Sequence, residues 1–335
     1  MIKTRMKTQF PKKLEIGDGV RVITPARSIA MPWINEELQE IAKERFKKLG
    51  LILSFSKHVQ EIDEFNSSSI QSRIEDLHEA FGDPAIKLVI TVIGGFNSNQ
   101  LLRYLNYDLI KNNPKILCGY SDITALTNAI YAKTGLVTYS GPQFFSFGDK
   151  KGFDYSLEYF KKCLMFEKPF ELLPSAQWSD DRWANDQENR NFIKNDGYWV
   201  LNQGRARGTI IGGNQCTINL LHGTEYMPDI SDSILFLEDD NEAHVATIDR
   251  DLQSIVHQPG FNTVRGIVFG RFQLKTGMTK DLLTKIVKTK KELDNLPIVA
   301  NVDFGHTTPL ITFPIGGEVE VVAEEGNAKI YILKH

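Results

Sequence analysis

Residues 115–126 read KILCGYSDITAL and combine a short apolar run, a tight turn and the start of a helix. Apolar residues recur at three- and four-residue steps after the turn and Gly135 follows them, which predicts a helix over residues 122–134. Ser121 therefore lies where a strand ends and a helix begins, beside backbone N–H groups that have no helical partner. Because such groups favour negative charge, the turn suits a nucleophilic serine flanked by donors to an oxyanion.

Two other apolar runs end in groups that could serve such a serine. Glu238 closes the run SILFLE, and His306 closes the run IVANVDFGH. A serine, an acid and a histidine at strand ends are typical of catalytic sites on α/β scaffolds. The turn departs from the hydrolase motif G-x-S-x-G because Ile123 replaces the second glycine. An ordinary helix cap is the alternative role for Ser121, since serine is a preferred N-cap residue.

Spacing alone leaves other acids and histidines open as catalytic groups. Glu238 could instead form an ion pair with an arginine, and His306 could be a structural histidine. The rival groups and possible partners are Asp239, Asp240 and Glu242 as acids, His244 and His257 as bases, and Arg250 and Arg271 as ion-pair partners.

A glycine pair, Gly94 and Gly95, follows the apolar run of residues 86–93. The dinucleotide motif G-x-G-x-x-G is absent, so we predict no nucleotide cofactor there. Glycine permits close backbone approach because it has no Cβ. If the third and fourth strands are neighbours, the N–H groups of Gly95 and Asp122 could point at one spot.

Strands alternate with helices through the first half of the chain. This alternation predicts an α/β fold with a doubly wound, flavodoxin-like parallel sheet over residues 1–160. Residues 161–205 form a Trp-rich connection, and residues 206–335 form a mixed α+β domain. The predicted strands are 19–24, 51–55, 86–93, 115–118, 207–211, 234–238, 265–269, 297–302, 318–323 and 328–333; the predicted helices are 35–49, 68–81, 98–112, 122–134, 215–222, 242–257 and 278–292.

Composition excludes several classes of partner. The chain has 335 residues, a net charge of −3 and three scattered cysteines, so neither a nucleic-acid polymer nor a disulfide framework is indicated. No metal motif is present, and we expect neither a metal nor another cofactor. Residues 1–13 carry lysines without a following apolar run, and no run is long enough for a membrane span. We therefore expect a cytoplasmic protein without a membrane partner.

Several short motifs, spread over nearly the whole chain, match one known family. On these motifs the sequence resembles the LD-carboxypeptidase family of serine peptidases, and within it the branch of microcin C self-immunity peptidases. The matching stretches are GDGVRVITPA (17–26), RIEDLHEAF (73–81), IGGFNSN (93–99), GYSD (119–122), GGN (212–214), LED (237–239) and GH (305–306).

The resemblance implies roles for individual residues. It implies a catalytic triad of Ser121, Glu238 and His306, with Glu238 chosen because it occupies the family's L-E-D position. It implies an oxyanion hole at Gly95 and Asp122, a small β-barrel-like core in the second domain, and a homodimer. The expected substrate-binding residues are Gly94, Phe96, Asn97, Trp178, Trp183 and Asn214.

Three functions are compatible with these patterns. The branch resemblance implies hydrolysis of an aminoacyl- or peptidyl-nucleotide amide of the microcin C type. For such a substrate we predict that Trp178 or Trp183 stacks on the nucleobase, which offers a flat π-face. The wider family implies release of a D-amino acid from muropeptide tails. A non-catalytic module that binds a small ligand is the third possibility. For both tryptophans, packing at the domain junction remains the alternative to ligand contact.

Overall fold

The computed structural model of the chain describes residues 6–335. The lysine-bearing segment expected at the N-terminus begins in residues 1–5, which lie outside the described residues. Within residues 6–335, no helix is both long enough and apolar enough to span a bilayer.

The first sheet has six strands in the order β14-β5-β4-β3-β1-β2. Its first five strands in chain order are parallel, and β14 adds antiparallel beside β5. The order 2-1-3-4-5 is that of flavodoxin-like folds and confirms the predicted fold class. The strands are β1 (Gly19–Ile23), β2 (Ile52–Phe55), β3 (Ile86–Thr91), β4 (Ile116–Cys118), β5 (Thr138–Ser140) and β14 (Phe313–Ile315).

The second sheet has eight strands in the order β6-β16-β15-β10-β11-β12-β13-β9. Its strands are β6 (Phe170–Leu172), β9 (Trp199–Asn202), β10 (Gly204–Asn214), β11 (Ser233–Glu238), β12 (Gly266–Gly270), β13 (Ile298–Val302), β15 (Glu318–Glu324) and β16 (Asn327–Lys334). The central strands β10 to β13 are parallel and the outer ones antiparallel. Two short strands, β7 (Gln177–Trp178) and β8 (Ile193–Lys194), pair separately.

This second sheet corrects the expectation of a barrel-like core. Among the described residues it is open, with β6 and β9 at its edges. Helical crossovers between β10, β11, β12 and β13 explain the difference, because parallel neighbours need such connections and form open, helix-covered layers. The proposed division into residues 1–160, 161–205 and 206–335 stays a prediction; β14 comes from the third of these segments and joins the first sheet.

Eight α-helices are described, and most follow the predicted bounds within a few residues. They are α1 (Glu36–Lys48), α2 (Ile70–Gly82), α3 (Tyr107–Asn112), α4 (Thr124–Thr134), α5 (Asp154–Leu164), α6 (Gln215–Asn219), α7 (Val245–Val256) and α8 (Lys280–Lys288). The helix predicted over 98–112 is wrong as one unit. Leu105 is extended after a 3₁₀ segment, Ser98–Tyr104, and Asn106 caps a new helix by accepting from Leu109 N–H.

The two sheets meet where α4 begins. Gly213 has φ +126°, and a Cβ at this position would come within 2.5 Å of the Thr124 hydroxyl. The Asn128 side chain donates to the Gly212 carbonyl at 2.8 Å, and Asn214 N–H donates to Thr124 Oγ1 at 3.0 Å. The glycine pair thus allows α4 to dock directly on the backbone of β10. This contact fixes the turn that carries Ser121 relative to the second sheet.

Candidate active site

Ser121 occupies a strained backbone position between β4 and α4. It begins a 3₁₀ turn, Ser121–Ile123, with φ +63°. The other non-glycine residues described with positive φ are asparagine or aspartate, which tolerate this region, whereas serine rarely adopts it. The N-cap position falls on Tyr120, which makes no side-chain capping bond. Backbone strain of this kind is typical of functional turns.

A continuous chain of hydrogen bonds links Ser121, His306 and Glu238. Ser121 Oγ lies 2.9 Å from His306 Nε2, and His306 Nδ1 lies 2.8 Å from Glu238 Oε2. Glu238 ends β11 and is buried; His306 follows β13 in the loop that crosses to β14 in the first sheet. The arrangement can move a proton from the serine to the imidazole while the carboxylate fixes the ring.

Burial and neighbouring charges shift the pKa values of His306 and Asp239. Burial lowers the pKa of His306, but the Glu238 carboxylate outweighs it and raises the pKa to about 9. Burial, together with the charge of Glu238, raises the pKa of Asp239 to about 7. Asp239 Oδ1 accepts from Asp240 N–H at 3.0 Å and from the Asn214 side chain at 3.4 Å, whereas Glu238 is the carboxylate bonded to the imidazole. A carboxyl group whose pKa is raised by burial and by a neighbouring charge is typical of active sites.

The structure also locates the rival groups. Arg271 pairs with Asp303, and Arg250 lies 3.6 Å from Asp251, so neither arginine takes Glu238 as its partner. His244 is the N-cap residue of α7, and His257 bonds to Gln253 on the same helix. Neither histidine lines the cavity around Ser121.

The backbone after β3 approaches Ser121 so closely that glycine is needed there. A Cβ on Gly94 would lie 2.8 Å from Ser121 Cβ, 2.9 Å from its Oγ and 3.4 Å from Asp122 N. The buried Asp122 side chain accepts from Ser98 N–H at 2.9 Å, and Ser98 Oγ donates to the Asp122 carbonyl at 2.7 Å. Since β3 and β4 are neighbours, the turn after β3 lies against the turn that carries Ser121. The oxyanion hole at Gly95 and Asp122 stays a prediction.

A cavity of about 220 Å³ opens in front of Ser121 and His306. It contains the predicted residues Gly94, Gly95 and Phe96. Its other lining residues are Arg27, Ile93, Tyr120, Gln143, Asp240, Asn241, Glu242 and Gln273. A larger cavity of about 510 Å³ around residues 223–231 and 258–260 shares none of these residues. No group of three or more His, Cys, Asp or Glu side chains in residues 6–335 could hold a metal ion.

Sequence reasoning did not name six of these lining residues as site residues: Arg27, Ile93, Tyr120, Gln143, Asn241 and Gln273. Arg27 and Gln143 follow the carboxyl ends of β1 and β5, where α/β folds place their ligand sites. That rule could have found Arg27. It could not find Gln143, because the three-residue strand before it was not recognised.

The remaining predicted substrate-binding residues lie outside the cavity lining. Asn97 accepts twice from Arg73 through its carbonyl and its side chain. Asn214 is buried and caps α6 by accepting from Thr217 N–H. Trp183 stacks on Phe145 with ring centroids 4.6 Å apart. Their role in substrate binding stays a prediction.

Trp178 packs on a buried ion pair beside the histidine loop. The Arg271 guanidinium lies 5.0 Å from the centre of its ring and pairs with Asp303 at 2.5 Å. Ser175 donates to Asp303 through both its N–H and its hydroxyl, at 2.8 Å each. Ser179 and Thr308 exchange two backbone hydrogen bonds. The Trp-rich connection is therefore anchored on the loop that carries His306.

Comparisons with known proteins all match the chain to one family. The chain matches the LD-carboxypeptidase N-terminal domain over residues 20–141 and the C-terminal domain over residues 207–321. A solved MccF-like protein from Bacillus anthracis is 52% identical, covers 98% of this chain and 100% of its own, and has a TM-score of 0.96.

Two relatives carry more specific names. The microcin C7 self-immunity protein MccF of Escherichia coli is 33% identical over 95% of this chain and 94% of its own length. A solved structure of MccF in complex with aspartyl sulfamoyl adenosine is 29% identical, with a TM-score of 0.87 over 97% of this chain and 98% of its own. A Bacillus subtilis protein described as a probable murein peptide carboxypeptidase is 27% identical over 96% of this chain and 93% of its own length. The chain therefore belongs to the LD-carboxypeptidase family and is a peptidase.

Proposed function

We propose that this peptidase is a serine hydrolase in which Ser121 is the nucleophile, His306 the general base and Glu238 the residue that orients the imidazole. The observation that carries the proposal is the hydrogen-bond chain from Ser121 Oγ through the ring of His306 to Glu238, built on a turn with positive φ. A serine bonded to a base that is itself oriented by an acid is the general geometry of an activated nucleophile.

The reaction proceeds in two steps. Ser121 Oγ attacks the scissile carbonyl while its proton passes to His306 Nε2, and the imidazolium then protonates the leaving amine as the C–N bond breaks. Water next attacks the acyl-enzyme, gives a proton to His306 and releases the acid, and Ser121 regains its proton. The N–H groups of Asp122 and Gly95 are the proposed donors to the oxyanion, since the glycine pair abuts the nucleophile turn.

The proposed substrate is an aminoacyl- or peptidyl-nucleotide, cleaved at the amide that joins the amino acid to the nucleotide. The relative MccF is named for self-immunity to microcin C7 and has been solved with an aminoacyl sulfamoyl nucleoside. The present cavity fits a charged, compact group, because it combines Arg27 with Asp240 and Glu242 around the serine. Cleavage of this amide would inactivate such an inhibitor.

Release of a terminal D-amino acid from a muropeptide is the second candidate. It is favoured by the similarity to the murein peptide carboxypeptidase of Bacillus subtilis. Both reactions would use the same triad and differ in the acyl part and in the leaving group. The homodimeric state and the cytoplasmic location are further parts of this proposal, and sedimentation and fractionation would test them.

The test compares kcat/KM for aspartyl-adenosine phosphoramidate with that for a muropeptide ending in an L,D-bond, using the wild type and Ser121→Ala. We expect the nucleotide to be the better substrate and the variant to lose at least about a thousandfold in rate on both. A better muropeptide would replace the proposed substrate by the second candidate. Normal turnover by a correctly folded Ser121→Ala protein would exclude the triad.

A further inference from the structure

The cavity at Ser121 has walls of opposite charge. Arg27, in the loop after β1, borders it on the side of the glycine pair. Asp240 and Glu242, in the turn after β11, border it on the side of the second sheet. In the described part of the chain, neither of these two carboxylates has an ion-pair partner. A substrate that carries both charges would be held in one orientation.

Arg27 is placed to receive an anion. Its guanidinium lies 5.1 Å from the centre of the Phe96 ring, and Phe96 is 62% exposed. Within residues 6–335, Arg27 has neither a carboxylate partner nor a side-chain hydrogen bond. An arginine held over an aromatic ring keeps its N–H edge available, and that edge matches carboxylate and phosphoryl oxygens.

The backbone around Arg27 joins it to the nucleophile. Arg27 N–H donates to the Gly94 carbonyl at 3.3 Å, and Gly94 itself lies against Ser121. A Cβ on Gly95 would come within 3.2 Å of Arg27 Cγ. The base of the arginine side chain is therefore packed on the same glycine pair that borders the scissile carbonyl in the proposed reaction.

Buried hydrogen bonds fix the loops that carry Arg27 and Phe96. The buried Arg73 guanidinium donates to the Pro25 carbonyl at 3.2 Å and to the Asn97 carbonyl at 3.1 Å. Ser67 Oγ donates to the Ala26 carbonyl at 2.6 Å. Both loops are thus held by side chains on α2 and just before it, so the pair of Arg27 and Phe96 is a preorganised surface and not a chance contact.

We propose that Arg27 binds the negative charge that the leaving group carries beside the scissile amide. This proposal rests on the proposed function. In a carboxypeptidase substrate the charge is the terminal carboxylate, and in an aminoacyl nucleotide it is the phosphoryl group. Both lie a few bonds from the scissile nitrogen. Asp240 and Glu242 repel this charge and leave the opposite wall to the ammonium group of the acyl part.

Pairs of substrates with and without this charge test the proposal. The first pair is an L,D-dipeptide ending in D-alanine and the same peptide ending in D-alaninamide. The second is aspartyl-adenosine phosphoramidate and the aspartyl amide of 5′-amino-5′-deoxyadenosine, which lacks the phosphoryl group. The enzymes are wild type, Arg27→Gln, Arg27→Lys, and Arg103→Gln as a control at an exposed arginine outside the cavity.

We expect Arg27→Gln to lower kcat/KM about tenfold or more for the charged member of each pair, mainly through KM, because a charge-assisted hydrogen bond is lost. The uncharged members should change less than about twofold, and Arg27→Lys should retain part of the preference because it keeps the charge without the planar fork. Arg103→Gln should behave as wild type. The pair in which Arg27→Gln reduces the preference for the charged member more strongly identifies the source of the anion.

Equal losses on charged and uncharged members would overturn the proposal and make Arg27 a packing residue, as would no loss at all. Failure of the wild type to cleave any of the four compounds would count against the proposed function instead. The role of Arg27 is then read from calorimetric binding of aspartyl sulfamoyl adenosine to Ser121→Ala. Arg27→Gln in that background must weaken binding about tenfold or more, and an unchanged affinity would overturn the proposal.

Discussion

The turn that carries Ser121 and the Trp-rich connection both contact the loop that carries His306, but they are held in different ways. The turn is fixed by the backbone: Gly94 packs on Ser121, and Gly213 allows α4 to touch the second sheet. The connection is fixed by side chains, chiefly the pairing of Asp303 with Arg271 and Ser175. The backbone contacts tolerate no added atom, whereas the side-chain contacts depend on matched charge.

The two kinds of contact hold two different parts of the molecule. Close contacts at glycines hold the turn that carries Ser121, the proposed nucleophile. The side-chain network holds the segment that covers the histidine loop, where Ser179 pairs with Thr308. Substitutions in the first region should change rate, and those in the second should change stability before they change rate.

The largest effect should follow from breaking the buried ion pair. Arg271 and Asp303 side chains are 3% and 0% exposed, so Asp303→Asn leaves a buried guanidinium without its counter-charge. We expect a loss of about 3–5 kcal/mol in the free energy of unfolding, measured by urea denaturation. Glu320→Gln is the control, since Glu320 pairs with the exposed Arg205, and it should cost less than about 1 kcal/mol. Similar losses of unfolding free energy in the two variants would show that the buried pair does not hold the connection.

A methyl group at the glycine pair should act on rate. In Gly94→Ala the new Cβ would lie 2.8 Å from Ser121 Cβ, so the nucleophile must shift. We expect kcat/KM to fall about a hundredfold, the size of effect that a displacement near 1 Å produces. Gly82→Ala is a suitable control because a Cβ there meets nothing within 4 Å. Unaltered turnover by a folded Gly94→Ala protein would show that the contact is not needed.

How well the sequence predicted the site depends on the range of the interactions. Glu238 and His306 could be predicted to lie together because each follows an apolar strand of the second sheet, and the carboxyl ends of parallel strands meet at one edge. Their meeting with Ser121, which follows β4 of the first sheet, was implied only by the family resemblance, because strand ends of two different sheets share no edge. The return of β14 to the first sheet could not be predicted, since three residues with a proline carry no clear strand pattern. The pairing of Arg271 with Asp303 and Ser175 joins residues up to 128 positions apart and leaves no local signal.

The pH dependence of the rate should reveal the pairing of His306 with Glu238. Glu238 raises the pKa of His306 to about 9, and a protonated imidazole cannot accept the serine proton. We therefore expect kcat/KM to rise about tenfold per pH unit between pH 6 and 8 and to level off near pH 9. Glu238→Gln removes the attraction and leaves burial, which disfavours the charged ring, so the apparent pKa should fall.

The measurement is a pH–rate profile with a parallel check that the fold is intact at each pH. A profile of Glu238→Gln that levels off at the wild-type pH would show that another group controls the titration. A chelator should leave the wild-type rate unchanged, because the proposed chemistry uses only serine, histidine and glutamate.

The smallest effect should distinguish the two tryptophans of the connection. The ring of Trp178 is covered by the Arg271 guanidinium. Trp183 is half-buried against Phe145, and Phe145 lies two residues after Gln143, which lines the cavity. We expect Trp183→Ala to raise KM for an aminoacyl nucleotide about tenfold, since stacking on an aromatic ring contributes about 1–3 kcal/mol per base.

Activity on a muropeptide should change little in Trp183→Ala, because its tail offers no flat group to the ring. Trp178→Ala should instead lower the unfolding midpoint in urea and change KM less than about threefold, because the ring covers the buried ion pair and loses a cation–π contact. Measuring KM for both substrates beside the unfolding midpoint separates the two roles. If Trp183→Ala weakens both substrates equally, Trp183 serves packing at the junction, and the nucleobase must bind elsewhere along the cavity.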